Sequence, residues 1–352
     1  MSNSPPNKKA KNAVFAVLAL LLGSVIAFGI WTSIKPANNS IERGKELNQR
    51  AWDVTYEERG LPIPETGPRD GYWGERIEKK APHPAVKWTE PTVQLAGILS
   101  IDQNGVQRYL PDGKPDSEVL VVGGSVAFGT YASGHDTTYF CQLGELLSKQ
   151  GHRCQVSVFA AGAWKSIQDF TGVRYYTLQH SKPNVVVYLN GLNDLTNGSN
   201  AQTLFGEPTR TKDGSQWTYL YHEHDYRERV DLYLKNMSDA ADFSKSQNQK
   251  MLVVLQPALF ERSQLTDVEK ELLEGSLLPH KSVDDLLQSY DAMRQGLQKL
   301  AKETHVHFLD ASRIFEMETA TTFTDIWHFS DVGHRILAET MLPAIDQILD
   351  NK

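Results

Sequence analysis

Five short apolar segments, separated by stretches of helical character, constrain the fold of this chain more than any other feature. The run Val185-Val-Val-Tyr-Leu189 is apolar throughout, which is typical of a strand buried on both faces of a parallel sheet. Because strands alternate with helices, we predict an α/β fold of three layers (α/β/α) with a doubly wound parallel sheet of about five strands. The predicted strands are Glu118–Gly123, Gln155–Phe159, Asn184–Asn190, Met251–Gln256 and Val306–Asp310.

The N-terminus carries an apolar segment of a different kind. Residues 12–34 form a run of 23 uncharged residues, which is long enough to cross the hydrocarbon layer of a membrane as a helix. Lysines at positions 8, 9 and 11 favour an orientation with the N-terminus in the cytoplasm. We therefore expect a cytoplasmic tail (residues 1–11), a single-pass transmembrane signal anchor (12–34) and an extracytoplasmic remainder. The alternative is a cleaved signal peptide and a secreted protein, although Ala27-Phe-Gly29 is a poor cleavage site.

Residues 35–115 connect this segment to the predicted sheet. They begin with charged, helix-prone sequence that is typical of a stalk, and a proline-rich stretch then predicts an irregular wrapping segment. Two short predicted strands, Leu95–Asp102 and Val106–Leu110, flank Asn104-Gly105, a signal for a type I′ turn. The sequence therefore predicts a small β-hairpin ahead of the main α/β domain, which spans residues 116–352.

The composition argues against several classes of function. A formal net charge of −7 and an isoelectric point near 5.9 give no reason to expect a nucleic-acid partner. Cys141 and Cys154 are the only cysteines, so the sequence has no zinc-type cysteine cluster. We expect two buried thiols, because the helix that starts near Cys141 separates it by about 13 Å from the turn before Cys154. A disulfide requires Cα atoms within about 7 Å.

Residues that follow the predicted strands carry groups suited to acyl transfer. Ser125 follows Gly123-Gly124, where a tight turn would expose its hydroxyl at the sheet edge, although serine is also a good helix N-cap. Asn193 could donate its amide to a developing oxyanion or close the strand in an Asx-turn. Gly162 would contribute a backbone N–H or act as an ordinary turn glycine, and Asn190 is an alternative amide donor.

Two Asp-x-x-His pairs near the C-terminus are candidates for a base with its orienting carboxylate. Asp325 and His328 precede Ser330, a predicted helix N-cap, and therefore lie on a loop that is free to reach the strand ends. Asp331 and His334 fall in the first turn of the following helix, where they would form an ordinary surface pair. We assign the chemistry to the first pair.

Taken together, these segments resemble the SGNH hydrolase family, also called GDSL-like lipases or esterases, over about residues 116–345. The resemblance implies an SGNH or flavodoxin-like α/β fold and a catalytic domain in residues 116–352. The chain departs from the family pattern at Gly124, where an aspartate is usual, and Phe159–Gly162 lack the asparagine often found in the second block. The matching blocks are Gly123-Gly-Ser125, Gly162, Gly191-Leu-Asn193-Asp194, and Asp325-Ile-Trp-His328 with Ser330 and Gly333.

The resemblance also implies roles for these residues. His328 would take the proton of Ser125, whose oxygen attacks an ester carbonyl, while Asp325 orients the imidazole. The N–H groups of Ser125 and Gly162 and the amide of Asn193 would form the oxyanion hole. No metal or organic cofactor is implied.

The expected function is that of a membrane-anchored serine esterase that hydrolyses carboxylic esters outside the cytoplasm. Its substrate would be an ester-bearing small molecule, a lipid or an O-acylated cell-envelope glycan, and the sequence identifies no protein partner. An O-acyltransferase with the same triad is one alternative, although the single predicted span could not carry an acyl donor across the membrane. A catalytically silent binding or assembly module on the same fold is the other.

Overall fold

The computed structural model describes most of the α/β region and part of the segment before it. The predicted tail and anchor lie outside the described residues, as does most of the predicted wrapping segment. Within the described part, no helix combines the length and apolar character needed to cross a membrane. The described residues are 43–65, 81–83, 85–89, 93–95, 99–196, 209–210, 217–218, 226–275 and 283–350.

The strands form one large sheet and three small antiparallel pairs. The large sheet has six strands in the order β12-β11-β8-β6-β7-β5, and all neighbouring strands are parallel except β5 and β7. The small pairs are β1 with β2, β3 with β4, and β9 with β10. The strands are β1 (Ala81–His83), β2 (Lys87–Thr89), β3 (Val93–Leu95), β4 (Leu99–Ile101), β5 (Gln107–Tyr109), β6 (Ser117–Gly123), β7 (Cys154–Ala160), β8 (Val185–Asn190), β9 (Thr209–Arg210), β10 (Trp217–Thr218), β11 (Lys250–Leu255) and β12 (His307–Asp310).

Helices follow most strands of the large sheet, as the alternation in the sequence predicts. A short 3-10 turn, Leu259–Glu261, follows β11. The helices are α1 (43–57), α2 (Ser125–Phe128), α3 (Tyr139–Lys149), α4 (Ser166–Gln179), α5 (Leu192–Thr196), α6 (Tyr226–Ser246), α7 (Asp267–Gly275), α8 (Val283–Glu303) and α9 (Asp331–Asp350).

Apolar side chains fill both faces of the sheet. In β6, Val119 and Val121 join the core beneath α3 and α9, whereas Leu120 and Val122 join the core beneath α4, α6 and α8. Successive residues of a strand point to opposite faces, so a strand with helices on both sides must be apolar at every position. The continuous apolar runs in the sequence therefore identified the five parallel strands. The fold is a mixed α/β fold with one strand more than we predicted.

The predicted β-hairpin is wrong in its pairing and its turn type. β4 pairs with β3, and β5 pairs with the edge of β7 in the large sheet. A type I′ turn needs positive φ at both central residues, but of Asn104 and Gly105 only the glycine has it, at +76°. Instead, the carboxylate of Asp102 accepts the backbone N–H groups of Asn104 and Val106, at 2.8 and 3.0 Å.

Side-chain contacts explain why β5 joins the large sheet. Gln107 is buried, and its amide donates to the carbonyl of Phe128 at 2.8 Å. Tyr109 lies against Gly144 of α3, so closely that a Cβ at that glycine would be 2.1 Å from the tyrosine ring. Pairing with β5 also satisfies the backbone groups along the outer edge of β7. These are contacts between distant parts of the chain, which a local turn signal does not reveal.

Both cysteines are free and buried, as we expected. Burial raises the pKa of the Cys141 thiol to about 12 and that of Cys154 to about 11. Cys141 lies in the first turn of α3, where its backbone N–H donates to the capping hydroxyl of Thr138 at 3.4 Å.

Candidate active site

Ser125 lies just after β6, at the carboxyl end of the sheet, and is the first residue of α2. Glycines occupy both positions before it, and in this structure each leaves room for a close neighbour. A Cβ at Gly123 would lie 2.1 Å from the carbonyl oxygen of Leu189, and a Cβ at Gly124 would lie 2.1 Å from the amide nitrogen of Asn193. Gly124, not Ser125, occupies the N-cap position, so the serine side chain is not used to cap the helix.

The Ser125 hydroxyl contacts the first of the two Asp-x-x-His pairs. Its Oγ lies 2.7 Å from Nε2 of His328, and Nδ1 of the same ring lies 2.8 Å from Oδ2 of Asp325. With the Nδ1 proton on the aspartate side, the lone pair of Nε2 faces the hydroxyl. This is the geometry in which an imidazole removes a proton from a serine.

The loop between β12 and α9 holds Asp325 in a fixed orientation. Its Oδ1 accepts the backbone N–H groups of Trp327 and His328, both at 2.7 Å, while Oδ2 faces the imidazole. The backbone N–H of Thr324 donates to the carbonyl of His328 at 2.9 Å and closes the loop. The carboxylate is therefore held by three donors and cannot rotate without breaking them.

Asn193 approaches Ser125 from the adjacent strand end. Its amide nitrogen donates to the carbonyl of Trp164 at 2.9 Å and occupies the space that Gly124 leaves open. An amide nitrogen carries two N–H groups, and the bond to Trp164 uses one of them. The missing side chain at Gly124, where the family usually has aspartate, is what permits this close approach.

Gly162 lies in a tight turn after β7. The backbone N–H of Trp164 donates to the carbonyl of Ala161 at 3.2 Å, so Gly162 and Ala163 are the central residues of the turn. Ala163 has a φ of +68°, as the third residue of a type II turn requires, although alanine adopts it less readily than glycine. The N–H of Ala161 donates to the carbonyl of Gly123 at 3.4 Å, which joins this turn to the Ser125 loop.

Asn190, the alternative amide donor, is not available to a substrate. Asn190 is 3% exposed. Its side-chain nitrogen donates to the carboxylate of Asp169 at 2.7 Å, and its side-chain oxygen accepts the hydroxyl of Tyr233 at 3.0 Å. Burial raises the pKa of the Asp169 carboxyl well above its ordinary value. Asn190 therefore belongs to a buried polar network beneath α4 and α6.

Asp194 is a residue of this site whose role the sequence reasoning missed. Its carboxylate accepts the backbone N–H of Ser166 at 3.0 Å and the Ser166 hydroxyl at 2.5 Å. Desolvation by burial raises the pKa of Asp194. Together, Asn193 and Asp194 fasten the loop that carries Gly162 to the end of β8. The sequence feature that could have indicated this role is the position of Asp194 directly after Asn193.

The second Asp-x-x-His pair is not the surface pair that we expected. His334 is fully buried, its Nε2 lies 3.1 Å from the carbonyl of Thr130, and its ring stacks on Tyr139. Asp331 accepts hydrogen bonds from Tyr56 of α1 and from the backbone and hydroxyl of Ser133. Each residue thus binds a different part of the chain, because α1 and the loop after α2 cover the start of α9.

A potential metal-binding group lies elsewhere. Of the residues that the structure describes, His152, Asp346 and Asp350 are the three side chains whose ligand atoms lie close enough together, within 4.8 Å, to hold an ion. Asp346 is about 22 Å along α9 from Asp331, at 1.5 Å per residue. Nε2 of His152 lies within hydrogen-bond distance of Oδ1 of Asp346, at 2.7 Å, which accounts for their proximity.

Comparison with known proteins gives the family. The sequence model of the GDSL-like lipase/acylhydrolase family matches residues 121–336. No curated protein sequence matches the chain. Similar solved structures include an acetyl xylan esterase, AlAXEase, with 18% identity and a TM-score of 0.43 over 65% of this chain and 99% of that one.

Two further solved structures are similar at the same level. Axe2, an acetylxylan esterase from Geobacillus stearothermophilus, has 17% identity and a TM-score of 0.42 over 66% of this chain and 94% of its own. LAE5, an α/β hydrolase from the metagenome of Lake Arreo in Spain, has 14% identity and a TM-score of 0.44 over 66% of this chain and 97% of its own.

The family match covers more than half of the chain and confirms the resemblance found in the sequence. The chain therefore belongs to the GDSL-like lipase/acylhydrolase family and is a hydrolase of ester bonds.

Proposed function

We propose that this family member is a serine esterase in which Ser125 is the nucleophile, His328 the general base and Asp325 the residue that orients it. The observation that carries the proposal is the series of hydrogen bonds from the Ser125 hydroxyl through both nitrogens of His328 to Asp325, at 2.7 and 2.8 Å. A serine, an imidazole and a carboxylate in this order are the parts that acyl transfer requires.

In the proposed reaction, His328 removes the hydroxyl proton as Oγ of Ser125 attacks the ester carbonyl. The negative charge that develops on the carbonyl oxygen is stabilised by the N–H groups of Ser125 and Gly162 and by the amide of Asn193. His328 then gives its proton to the departing alcohol, which leaves an acyl-enzyme. A water molecule, deprotonated by the same imidazole, releases the carboxylic acid and restores the serine.

We further propose that the enzyme works outside the cytoplasm, anchored by residues 12–34. The support is the uncharged run of 23 residues with its preceding lysines. Such a location suits an ester on a cell-envelope glycan or a lipid. Intact-mass measurement of the membrane-purified protein tests the anchor, because a mature N-terminus near residue 28 or 30 would show cleavage and refute it.

The nucleophile is tested by fluorophosphonate labelling of the full-length protein, followed by peptide mapping. We expect the label on Ser125 and a loss of roughly 10⁶-fold in turnover of p-nitrophenyl esters for Ser125→Ala, as for such groups in other serine hydrolases. Ser148→Ala, at an exposed serine of α3, is the matched control and should behave as the wild type. Labelling at another serine, or turnover that survives Ser125→Ala, would reject the assignment.

Acceptor choice separates hydrolysis from acyl transfer. The esterase proposal predicts that released carboxylic acid accounts for the acyl groups consumed, even when a glycan with free hydroxyls is added. If most of the acyl groups appear on the glycan instead, the enzyme is an O-acyltransferase.

A further inference from the structure

Helix α1 lies outside the part of the chain that matches the family, yet it contacts the loops that surround His328. Its residues Ala51 and Trp52 are buried, so the helix is packed into the domain along one side. Its C-terminal end makes two separate sets of polar contacts, one through Glu58 and Arg59, which directly follow the helix, and the other through Tyr56.

The first set of contacts holds the segment that leads into Asp325. The guanidinium of Arg59 donates to the carboxylate of Glu318 at 2.9 Å, to the hydroxyl of Thr322 at 3.1 Å and to the carbonyl of Thr321. The backbone N–H of Thr321 in turn donates to the carboxylate of Glu58 at 2.5 Å. Both threonines are completely buried. Arg59 is therefore bonded to a segment that ends three residues before Asp325.

The second set of contacts leads to the loop whose Tyr131 ring lies against the imidazole of His328. The hydroxyl of Tyr56 donates to Asp331 at 2.7 Å, and the same carboxylate accepts the backbone N–H and the hydroxyl of Ser133, both at 2.7 Å. Two residues earlier, the ring of Tyr131 stands edge-on to the ring of His328, with centroids 5.3 Å apart and planes at 88°.

Tyr131 has an unusual backbone conformation for a residue with a side chain. Its φ is +66°, which is sterically unfavourable outside glycine, so neighbouring contacts must hold the loop in place. Burial and the nearby charge of Asp325 raise the pKa of the Tyr131 hydroxyl, which keeps this ring neutral beside the imidazole. The link from Tyr56 through Asp331 to Ser133 supplies one such contact.

We propose that α1 is a positioning element of the active site, and that Tyr56 and Arg59 hold His328 in reach of Ser125 without touching the substrate. This inference rests on the proposed roles of Ser125 and His328. Tyr56 acts through the Ser133 loop and the Tyr131 ring, and Arg59 acts through the segment before Asp325. Displacement of a catalytic group by about 1 Å can cost roughly 100-fold in rate, so contacts that limit such displacement affect turnover directly.

The test compares Arg59→Ala with Arg50→Ala in the full-length protein. Arg50 is the control, because it lies on α1 itself and its side chain pairs with Glu271 of α7 at 2.8 Å, not with either active-site loop. For Arg59→Ala we expect kcat for p-nitrophenyl esters to fall about tenfold or more, with KM within about twofold of the wild type. Tyr56→Phe, which removes one hydroxyl, should lower kcat in the same way, whereas Arg50→Ala should leave both constants unchanged.

Fluorophosphonate labelling separates positioning from loss of folded protein. A misplaced base slows the labelling of Ser125 but leaves its final extent unchanged, whereas unfolding lowers the extent. If Arg59→Ala folds poorly, Tyr56→Phe provides the measurement. The inference is overturned if Arg59→Ala and Tyr56→Phe match Arg50→Ala, or if their activity falls only in proportion to the labelled fraction. Turnover that survives Ser125→Ala would instead reject the proposed function and this inference with it.

Discussion

The buried histidine of α9 makes the stability of this protein depend on pH in a predictable way. His334 is completely buried, and desolvation lowers its pKa from the ordinary value of 6.5 to about 4. Its Nε2 lies 3.1 Å from the carbonyl of Thr130, so the neutral ring donates its proton there. The perturbation we consider is acidification from pH 7 to pH 4, in the wild type and in His334→Gln.

The sign and the size of the change in unfolding free energy follow from proton linkage. Below pH 6.5 the unfolded chain takes up a proton on His334, but the native protein does not until the pH approaches 4. The stabilisation is therefore fully present above pH 6.5 and is lost as the pH falls through this interval. Each pKa unit is worth about 1.4 kcal/mol, so the loss attributable to His334 is about 3 kcal/mol. That is a large part of the roughly 5–15 kcal/mol by which most domains are stable.

Urea unfolding of the purified protein at several pH values measures this quantity. In His334→Gln, an amide N–H can still donate to the carbonyl of Thr130, but the side chain does not titrate. We expect the wild type to lose about 3 kcal/mol more unfolding free energy than His334→Gln between pH 6.5 and pH 4. His305→Gln, at an exposed histidine, should follow the wild-type curve. Parallel curves for the wild type and His334→Gln would refute the buried neutral histidine.

Three further outcomes test the site and the core. Asp325→Asn should keep the fold but lower kcat by about 10⁴-fold, as in a serine protease triad, because the imidazole loses its orienting carboxylate; circular dichroism and steady-state kinetics check this. Gly124→Ala should lower kcat about 100-fold, because the new Cβ would meet the amide of Asn193, which lies 2.1 Å from that position. An unchanged kcat would mean that the amide is not needed. Cys141 and Cys154 should not react with a thiol reagent at pH 8 until urea unfolds the protein, because both are buried and their pKa values are raised to about 12 and 11.

The five parallel strands could be predicted from the sequence almost to their ends. For example, the prediction Glu118–Gly123 compares with Ser117–Gly123 in the structure, and Val306–Asp310 with His307–Asp310. The signal is local, because a strand covered on both faces must be apolar at each position. β5 was assigned to the wrong partner, because strand pairing is not a local property. A turn signal reports which residues reverse the chain, but the partner of a strand is decided by competition among distant edges.

Period-two alternation also explains why Asn190 and Asn193 have different surroundings. Val186 and Tyr188 face the core beneath α4 and α6, and Asn190, two residues further on, points the same way into the polar network with Asp169. Asn193 lies beyond the strand, in α5, where this alternation no longer applies. The sequence shows that Asn190 lies within the strand and Asn193 beyond it. Which of the two amides is buried becomes clear only when the helices that cover each face of the sheet are known.

By itself, the sequence determined the order of strands and helices, the glycines before Ser125, and the side chains at the strand ends. These are local properties, since they depend on neighbouring residues and on short steric requirements. The loop position of Asp325 and His328 favoured this pair, but only the tertiary structure shows its contact with Ser125 and what surrounds Asp331 and His334. His328 reaches the serine from 203 positions away, and Asp331 is bound by Tyr56 from 275 positions away. Contacts over such distances arise from how whole elements pack, because no short pattern in the chain specifies which surfaces will meet.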